Sequence, residues 1–452
     1  MKKILMWSLV LLISISMIGA FSITGCKEEK AAATEEEVAP AEEESAEEAE
    51  ETKQIAEKTE ITFWYFHSGA EGEYMAALAD KYNEINPNVE VRAVSIPQAD
   101  YMGVKLTTAF AAEVGPDVFF MSPGDFLKYV NSGLALDLSP YFTDEIKADF
   151  LQSALDAVTV NDKIYGVPFE IELLGLYYNK DMLAAANVQP PKTWDELIEA
   201  TKTLTKGEVS GLLIEPNKGY YQNFTWYPFL WQGGGDVIDA ATKEGIFEGP
   251  AVENALKLWG DLVKAGAPAK ITIPGTWDIG LLGQGNVAMQ ICGTWAIAVI
   301  EDPENGWSET NIGLVPLPIP EGGEAATDAG GWKFMVNAHS RNVDAAAKFV
   351  MWAFAENIDL PLEWCTVTKF AYSPRQSVIE SGKDIYSKGL RKVFTDEIYD
   401  TAIGEPRYPS EIVSAVGDAL QEVMFANADP KVAAKKANDI INEFMKSFSG
   451  SM

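Results

Sequence analysis

Two glutamates stand two residues apart in Phe169-Glu170-Ile171-Glu172-Leu173-Leu174, a run otherwise apolar. On an extended strand side chains alternate, so Glu170 and Glu172 share a face, about 6.5 to 7 Å apart. Two chemistries fit that spacing. Carboxylates about 5 to 9.5 Å apart can act as acid and base on a glycosidic bond, and carboxylates facing a cleft can accept hydrogen bonds from a polyhydroxylated ligand. Asp125 follows the apolar run Val118 to Met121 in the loop Ser122-Pro123-Gly124-Asp125, where core packing gives no reason for its charge. Trp295 follows Gly293-Thr294 after another apolar strand, and Trp332 follows Gly330-Gly331, a turn where missing side chains let a ligand approach backbone. Such rings can stack on the apolar C–H face of a sugar ring. Most of the 12 Trp, 16 Tyr and 21 Phe belong in cores, so position must select among them.

The elements that would hold these residues alternate between strand and helix. Ile61 to Phe66 is β-branched and aromatic; a helix-period stretch, Tyr74, Leu78, Tyr82 and Ile85, then stops at Asn86-Pro87. Val89 to Ser95 reads as a strand, Tyr101 to Ala112 as a helix and Val118 to Met121 as a buried strand. The second half repeats the style, with helices at Trp194 to Leu204, Val252 to Ala265 and Asp344 to Glu356 and strands at Leu212 to Glu215 and Val287 to Ile291. From Ile412 to Phe448 the chain reads as helical, broken at Asp429-Pro430. This βαβ pattern predicts an α/β protein with mixed, mainly parallel sheets and ligand-binding loops at the strand ends.

The chain has 452 residues, enough for two or three domains, and a formal charge of −32 that is unevenly placed. Lys2 and Lys3 precede the apolar run Ile4 to Phe21, the form of a secretory leader, which ends in Ile23-Thr24-Gly25-Cys26. Lys27 to Glu60 holds 14 acids and four lysines in Ala, Glu and Thr; self-repulsion and ordering entropy favour an extended tether. With +2 in the leader and −10 in the tether, −24 remains for residues 61 to 452. Such a surface repels phosphate backbones, which excludes nucleic acid as a partner. Three cysteines and two histidines supply neither a disulfide framework nor a His-rich metal site, and Cys292 and Cys365 are expected as buried free thiols.

Read in order, the motifs Ile61-Thr62-Phe63-Trp64-Tyr65, Gly115-Pro116-Asp117-Val118, Tyr165-Gly166-Val167-Pro168, Tyr178-Asn179-Lys180-Asp181-Met182-Leu183, Pro191-Lys192-Thr193-Trp194-Asp195-Glu196-Leu197, Gly285-Asn286-Val287-Ala288-Met289, Gly293-Thr294-Trp295 and Gly330-Gly331-Trp332 span residues 61 to 452. Together they resemble the extracellular solute-binding proteins of carbohydrate ABC importers, the group that includes maltose-binding proteins. The resemblance implies a two-lobed periplasmic-binding-protein fold with hinge crossovers and lobes discontinuous in sequence, near 61–170 plus 320–375 and 174–317 plus 378–452. It implies a leader over residues 1–25, with Ile23 to Cys26 similar to a bacterial lipobox, lipidation of Cys26, a tether to residue 60 and an extracytoplasmic, membrane-anchored location. The expected partners are a mono- or oligosaccharide and the permease subunits of a transporter; the protein itself would be a monomer without cofactor or metal.

By the same resemblance Asp125 and Glu172 match positions that hydrogen-bond sugar hydroxyls, Trp295 a stacking tryptophan, and Trp226, in Tyr220-Tyr221-Gln222-Asn223-Phe224-Thr225-Trp226, a tryptophan near the cleft. Glu170, Trp332 and Asn223 join them, and Phe66, His67, Arg407, Tyr408 and Glu411 are expected in the walls. Another polar solute, a peptide, polyol or polyamine, suits the same architecture, and a surface glycosidase using Glu170 and Glu172 is the enzyme alternative. Gly283-Gln284-Gly285-Asn286-Val287-Ala288 precedes a strand instead of opening a helix after one, which argues against a dinucleotide site.

Overall fold

The computed structural model describes residues 58–268 and 275–452. The leader, Cys26 and the tether up to residue 57 lie outside the described residues. The named strands, in chain order, are β1 (Thr59–Tyr65), β2 (Val89–Ser95), β3 (Val118–Met121), β4 (Thr159–Val160), β5 (Lys163–Ile164), β6 (Val167–Pro168), β7 (Glu172–Asn179), β8 (Met289–Gly293), β9 (Ile312–Val315), β10 (Thr327–Gly330), β11 (Lys333–Val336) and β12 (Ala402–Gly404).

β1 and β2 run parallel from Thr59 opposite Val89 to Tyr65 opposite Ser95. The Gly69–Ile85 helix that joins them buries Tyr74, Leu78 and Tyr82, one stripe at i, i+4 and i+8, and stops where Asn86-Pro87 stops it. The first sheet has the order β2-β1-β3-β11-β6. β11 is antiparallel to both neighbours, Phe334 lying opposite Phe120 of β3 and Val167 of β6.

The second sheet has the order β12-β10-β7-β8, with β9 also on β7. Here β8, β9 and β10 all run antiparallel to β7, and β10 and β12 are parallel. The sheets are mixed, as expected, but parallel pairing is concentrated in β1, β2 and β3. Apolar periodicity reports burial and not strand heading, so an antiparallel return reads like a crossover.

β7 is buried on both faces, which is why Leu173 to Tyr177 reads as an unbroken apolar run. Leu174 and Leu176 enter a core with Trp226, Trp259 and the helices Trp194–Leu204, Tyr220–Gln232, Pro250–Ala265 and Ser410–Phe425. Leu173 and Tyr177 enter another with Cys292, Ile297 and Phe394. A separate core of Phe63, Phe119, Phe120, Phe169, Phe334, Phe349 and Trp364 packs on the first sheet. Cys292 and Cys365 are free, buried thiols.

Three local expectations change. Asp125 sits in the first turn of the Pro123–Asn131 helix rather than in a loop, because Pro123 takes the first helical position, where its missing N–H costs nothing. Leu212 to Glu215 makes no named strand, only a bridge from Leu213 to Gln290. Thr327–Gly330 is hydrogen-bonded into the second sheet, although the sequence boundaries put it with the first.

The chain passes between the sheets at residues 169–171, from β6 to β7, and at Gly331–Trp332, from β10 to β11. It passes again near Tyr372, where Ile171 and Tyr372 exchange backbone hydrogen bonds of 2.7 and 2.9 Å. Gly331 has φ +114°, and a Cβ there would lie 2.3 Å from the Glu170 carbonyl oxygen, so two of the passages touch at a position only glycine can fill. No helix among the described residues is long and apolar enough to cross a membrane.

Candidate functional site

The passages between the sheets carry a buried polar cluster. Glu170 is fully buried, Glu172 6% exposed and Lys369 5% exposed. The Lys369 ammonium lies 3.3 and 3.4 Å from the two Glu170 oxygens and 2.5 Å from Glu172 Oε1. The Glu172 contact is the shortest of the three, so Oε1 is held by the lysine. Glu170 also accepts from Trp364 Nε1 at 2.8 Å and from the Trp332 backbone N–H at 3.3 Å, so its oxygens are committed to the fold.

Burial by itself favours the neutral amine at Lys369, yet Glu170, Glu172 and Glu71 hold it protonated, above the ordinary lysine range. The same burial pushes Glu172 up to about 8 against the pull of Lys369, with the charge of Glu170 adding to the rise. Glu71, in the first turn of the Gly69–Ile85 helix, is raised by burial as well. His67 is pushed well below its ordinary value by burial and by Lys369. Its Nε2, 3.7 Å from Glu71, therefore makes no ion pair near neutral pH, and neither ring nitrogen has a partner.

Glu172 has a measurable pH signature. The folded protein keeps a proton there that the unfolded chain releases at about 4.5, so its stabilisation is full below that pH and is lost as pH rises through about 8. His67 works in the opposite sense, costing stability as pH falls through 6.5. We expect the unfolding free energy of the wild type minus that of Glu172→Gln to shrink between about pH 5 and about pH 8 in urea titrations. A difference that stays constant over that interval would show an ionised Glu172 in the fold.

Aromatic rings stand on both sides of this cluster. From the first sheet, Phe66 meets Trp332 at 4.6 Å, edge to face, and His67 at 4.5 Å, stacked. From the second, Trp295 lies 6.3 Å from Tyr221 and 6.5 Å from Phe224. Trp295 Nε1 donates to Trp277 O at 2.8 Å, which fixes the indole at the end of β8. Phe224 packs over Gly330, the residue paired with Glu172, where a Cβ would meet the ring at 2.7 Å.

Asp125 is part-buried and raised by desolvation, although Lys128 and a hydrogen bond from the Tyr220 hydroxyl oppose the rise. The Tyr220 ring rests on Gly124, where a Cβ would come within 2.4 Å. Arg407 donates to the carbonyls of Ala157 at 3.3 Å and Thr159 at 3.1 Å. Groups of the second sheet's layer thus reach the first here. Nearby, Lys333, lowered to about 8 by burial, donates to Gly331 O at 2.5 Å, and burial raises Glu405 to about 7.

The structure brings Glu170, Glu172, Phe66, His67, Trp332 and Trp295 to one region. It puts Trp226 elsewhere: the ring is 0% exposed in the second core, with Nε1 donating to Ala255 O at 3.2 Å. Asn223 is also internal, its amide donating to Val413 O at 3.0 Å. Tyr221 and Phe224 stand where Trp226 was expected, because the segment is one helix, Tyr220–Gln232, and only some of its residues can face the passages. Tyr408 donates to Asp236 at 3.1 Å, and Glu411 is exposed at the start of the Ser410–Phe425 helix; neither touches the cluster. Sequence reading missed Lys369, Glu71, Tyr221 and Phe224. The one signal for Lys369 was a lone cation in the otherwise uncharged run Trp364 to Tyr372.

Two surface hollows lie away from this region. One, of about 440 Å3, is lined by Val188, Pro190, Lys192 and Glu196, and the other, of about 550 Å3, by Asp117, Asn337, Ser340 and Arg341. Neither combines aromatic rings with unpartnered buried polar atoms, so the passages remain the candidate site. Among the described residues no group of three or more His, Cys, Asp or Glu could hold a metal ion.

Two α/β lobes joined by several chain passages, with polar and aromatic side chains gathered between them, define a two-lobed binding protein. Residues 67–357 match the family model described as bacterial extracellular solute-binding protein, and the chain belongs to that family. It is 24% identical over 392 residues to a putative binding protein of Brucella abortus (strain 2308), covering 83% of this chain and 92% of the relative. Among solved structures it is similar to a solute-binding protein of an ABC transporter from Thermotoga lettingae, bound with alpha-D-tagatose, at TM-score 0.76 and 23% identity, covering 86% of this chain and all of the other. The GacH receptor of Streptomyces glaucescens, solved unliganded and with acarbose, matches at TM-score 0.74 and 25% identity over 87% of this chain and all of the other.

Proposed function

We propose that this protein captures a mono- or oligosaccharide between its lobes and delivers it to the permease of an ABC importer. The observation that carries the reading is the meeting of the buried Glu172 and the rings of Phe66, Trp332, Phe224 and Trp295 where the chain passes between lobes. Carboxyl groups bind hydroxyls directionally while rings take the C–H faces, the two demands a pyranose makes. The tagatose and acarbose bound by the two similar structures support the same ligand class.

The lobes are taken as 61–170 with 331–375 and as 174–330 with 378–452, revised for the placement of β10. Closure about the passages engages both aromatic walls only when the lobes meet, so ligand binding favours the closed form. Cys26 is proposed as the lipidated residue that anchors the tether to the outer face of the cell membrane. Hydrolysis is disfavoured by the cluster itself. Glu170 is committed to Trp364, Trp332 and Lys369, and one ammonium holds both carboxyl groups, so they cannot flank a scissile bond.

Titration of the purified body with D-tagatose, maltose, maltotriose, acarbose, a polyol and a polyamine, read by tryptophan fluorescence, tests the reading. A saturable change with at least one sugar is expected, independent of salt. A response to the polyamine alone, fading with ionic strength, would replace the sugar with a cation.

A further inference from the structure

Ordering a chain segment costs conformational entropy that its contacts must offset, so a segment laid across another part of the molecule is held there by what it touches. Residues 447–452 follow the Pro430–Met445 helix, which buries Ala433, Ala434, Ala437 and Ile441 in the second lobe's core. Phe448 turns back on Phe444 of that helix, ring centroids 5.1 Å apart. From there the chain crosses to the first lobe. The Ser451 N–H donates to Asn131 Oδ1 at 3.1 Å, and Asn131 Nδ2 donates to Ser451 O at 3.2 Å, the two-point grip that one side-chain amide can make on a backbone. Asn161 Nδ2 donates to Ser451 Oγ at 3.2 Å. Gly450 lets the approach be close, since a Cβ there would lie 2.8 Å from Asn131 Nδ2. Met452, half-buried, packs against the apolar cores of both lobes.

Asn131 ends the Pro123–Asn131 helix and Asn161 sits in the turn between β4 and β5, so the segment grips the first lobe at two elements. Arg407 of the second lobe holds the same two elements, through the carbonyls of Ala157 and Thr159 and with its guanidinium 5.9 Å from the Phe126 ring centroid. These contacts join the lobes without using the chain passages. We propose that residues 447–452 are a strap that fastens the second lobe to the first through Asn131, Asn161 and Met452, and so biases the lobes toward the arrangement of this structure before any ligand arrives. Its three hydrogen bonds are exposed, so each contributes little and the strap can release. The inference does not rest on the carbohydrate reading. Any solute gripped between lobes binds with an affinity scaled by the fraction of molecules in the competent arrangement, whatever its chemistry.

The test reads the spacing of the lobes in the full chain with no ligand added. Spin labels go on Glu73→Cys and Lys257→Cys, one exposed position on each lobe, in a Cys26→Ser chain whose other thiols, Cys292 and Cys365, are buried. Double electron–electron resonance then gives the distance distribution for this chain and for the same chain with Asn131→Ala, with Met452→Ser and with both. The population at the parent chain's main distance, relative to all others, should fall about threefold for each single change and about tenfold for the pair. Near-UV circular dichroism should stay the same, because the lobes move as bodies and keep their own packing. Should a change at 131 or 452 prevent folding, Asn161→Gly reads the same effect from an exposed turn, since glycine keeps the φ of +51° and loses only the side-chain contact. A smaller shift in the same direction is expected from it. Distributions that match the parent chain in every folded variant overturn the strap, and so does a parent chain with no main distance, because its lobes are then not fastened.

Discussion

Replacing Lys369 by methionine should lower the unfolding free energy by about 3 to 5 kcal/mol, because it leaves the buried Glu170 carboxylate without its cation. Glu170 is fully buried and Lys369 nearly so, so water cannot substitute for the lost ammonium. Lys369 also ties two of the chain passages through Glu170 and Glu172, and Glu170 ties a third point through the Trp332 N–H. The charge and the hinge geometry therefore fail together. Adding Glu170→Gln to Lys369→Met removes the stranded charge and should recover part of the loss, since the amide oxygen can still accept from Trp364 Nε1, although the amide nitrogen cannot accept from the Trp332 N–H. Guanidinium denaturation of the two variants measures both effects. A single-variant loss below about 1 kcal/mol would mean that the cluster is solvated and the ammonium dispensable.

Two tryptophans expected to act alike should separate cleanly. Trp226→Ala should cost about 3 to 5 kcal/mol of stability, the price of a large cavity in a close-packed core, and leave ligand affinity nearly unchanged in the molecules that remain folded. Trp226 is wholly buried and its indole N–H is satisfied inside the core, so it has no face for a ligand. Trp295→Ala should do the reverse. Its ring is part-exposed beside Phe224 and Tyr221, and its removal should weaken sugar binding by about 1 to 3 kcal/mol through lost stacking area, with a smaller change in stability. Chemical denaturation and ligand titration of both variants form the test. Equal affinities for wild type and Trp295→Ala would move the stacking platform elsewhere, with Phe224 the first candidate.

These residues show what local pattern can and cannot single out. Glu170, Glu172 and Trp332 stand out as candidates because a charge or a large ring beside glycine in an apolar run is costly without a purpose. Trp226 was misplaced because its segment shows no period that separates a ligand face from a core face. The Tyr220–Gln232 helix buries nearly its whole circumference, so only neighbouring helices decide which ring looks inward. Lys369 was invisible as a partner because it stands 199 residues from Glu170 in the chain. Ion pairing at that separation leaves no local pattern.

The amino-acid sequence by itself determined the α/β class, most strand and helix positions, the acidic character of the chain and the presence of acids and rings suited to a hydroxylated ligand. These follow from side-chain periodicity, charge and turn chemistry, all of which act within a few residues. Only the tertiary structure decided strand heading in the second sheet, the sheet that holds Thr327–Gly330 and which aromatic residues face the passages. It also decided that a single lysine contacts both hinge glutamates. Those outcomes depend on contacts between segments far apart in the chain, where desolvation and packing set the energy and no local rule applies.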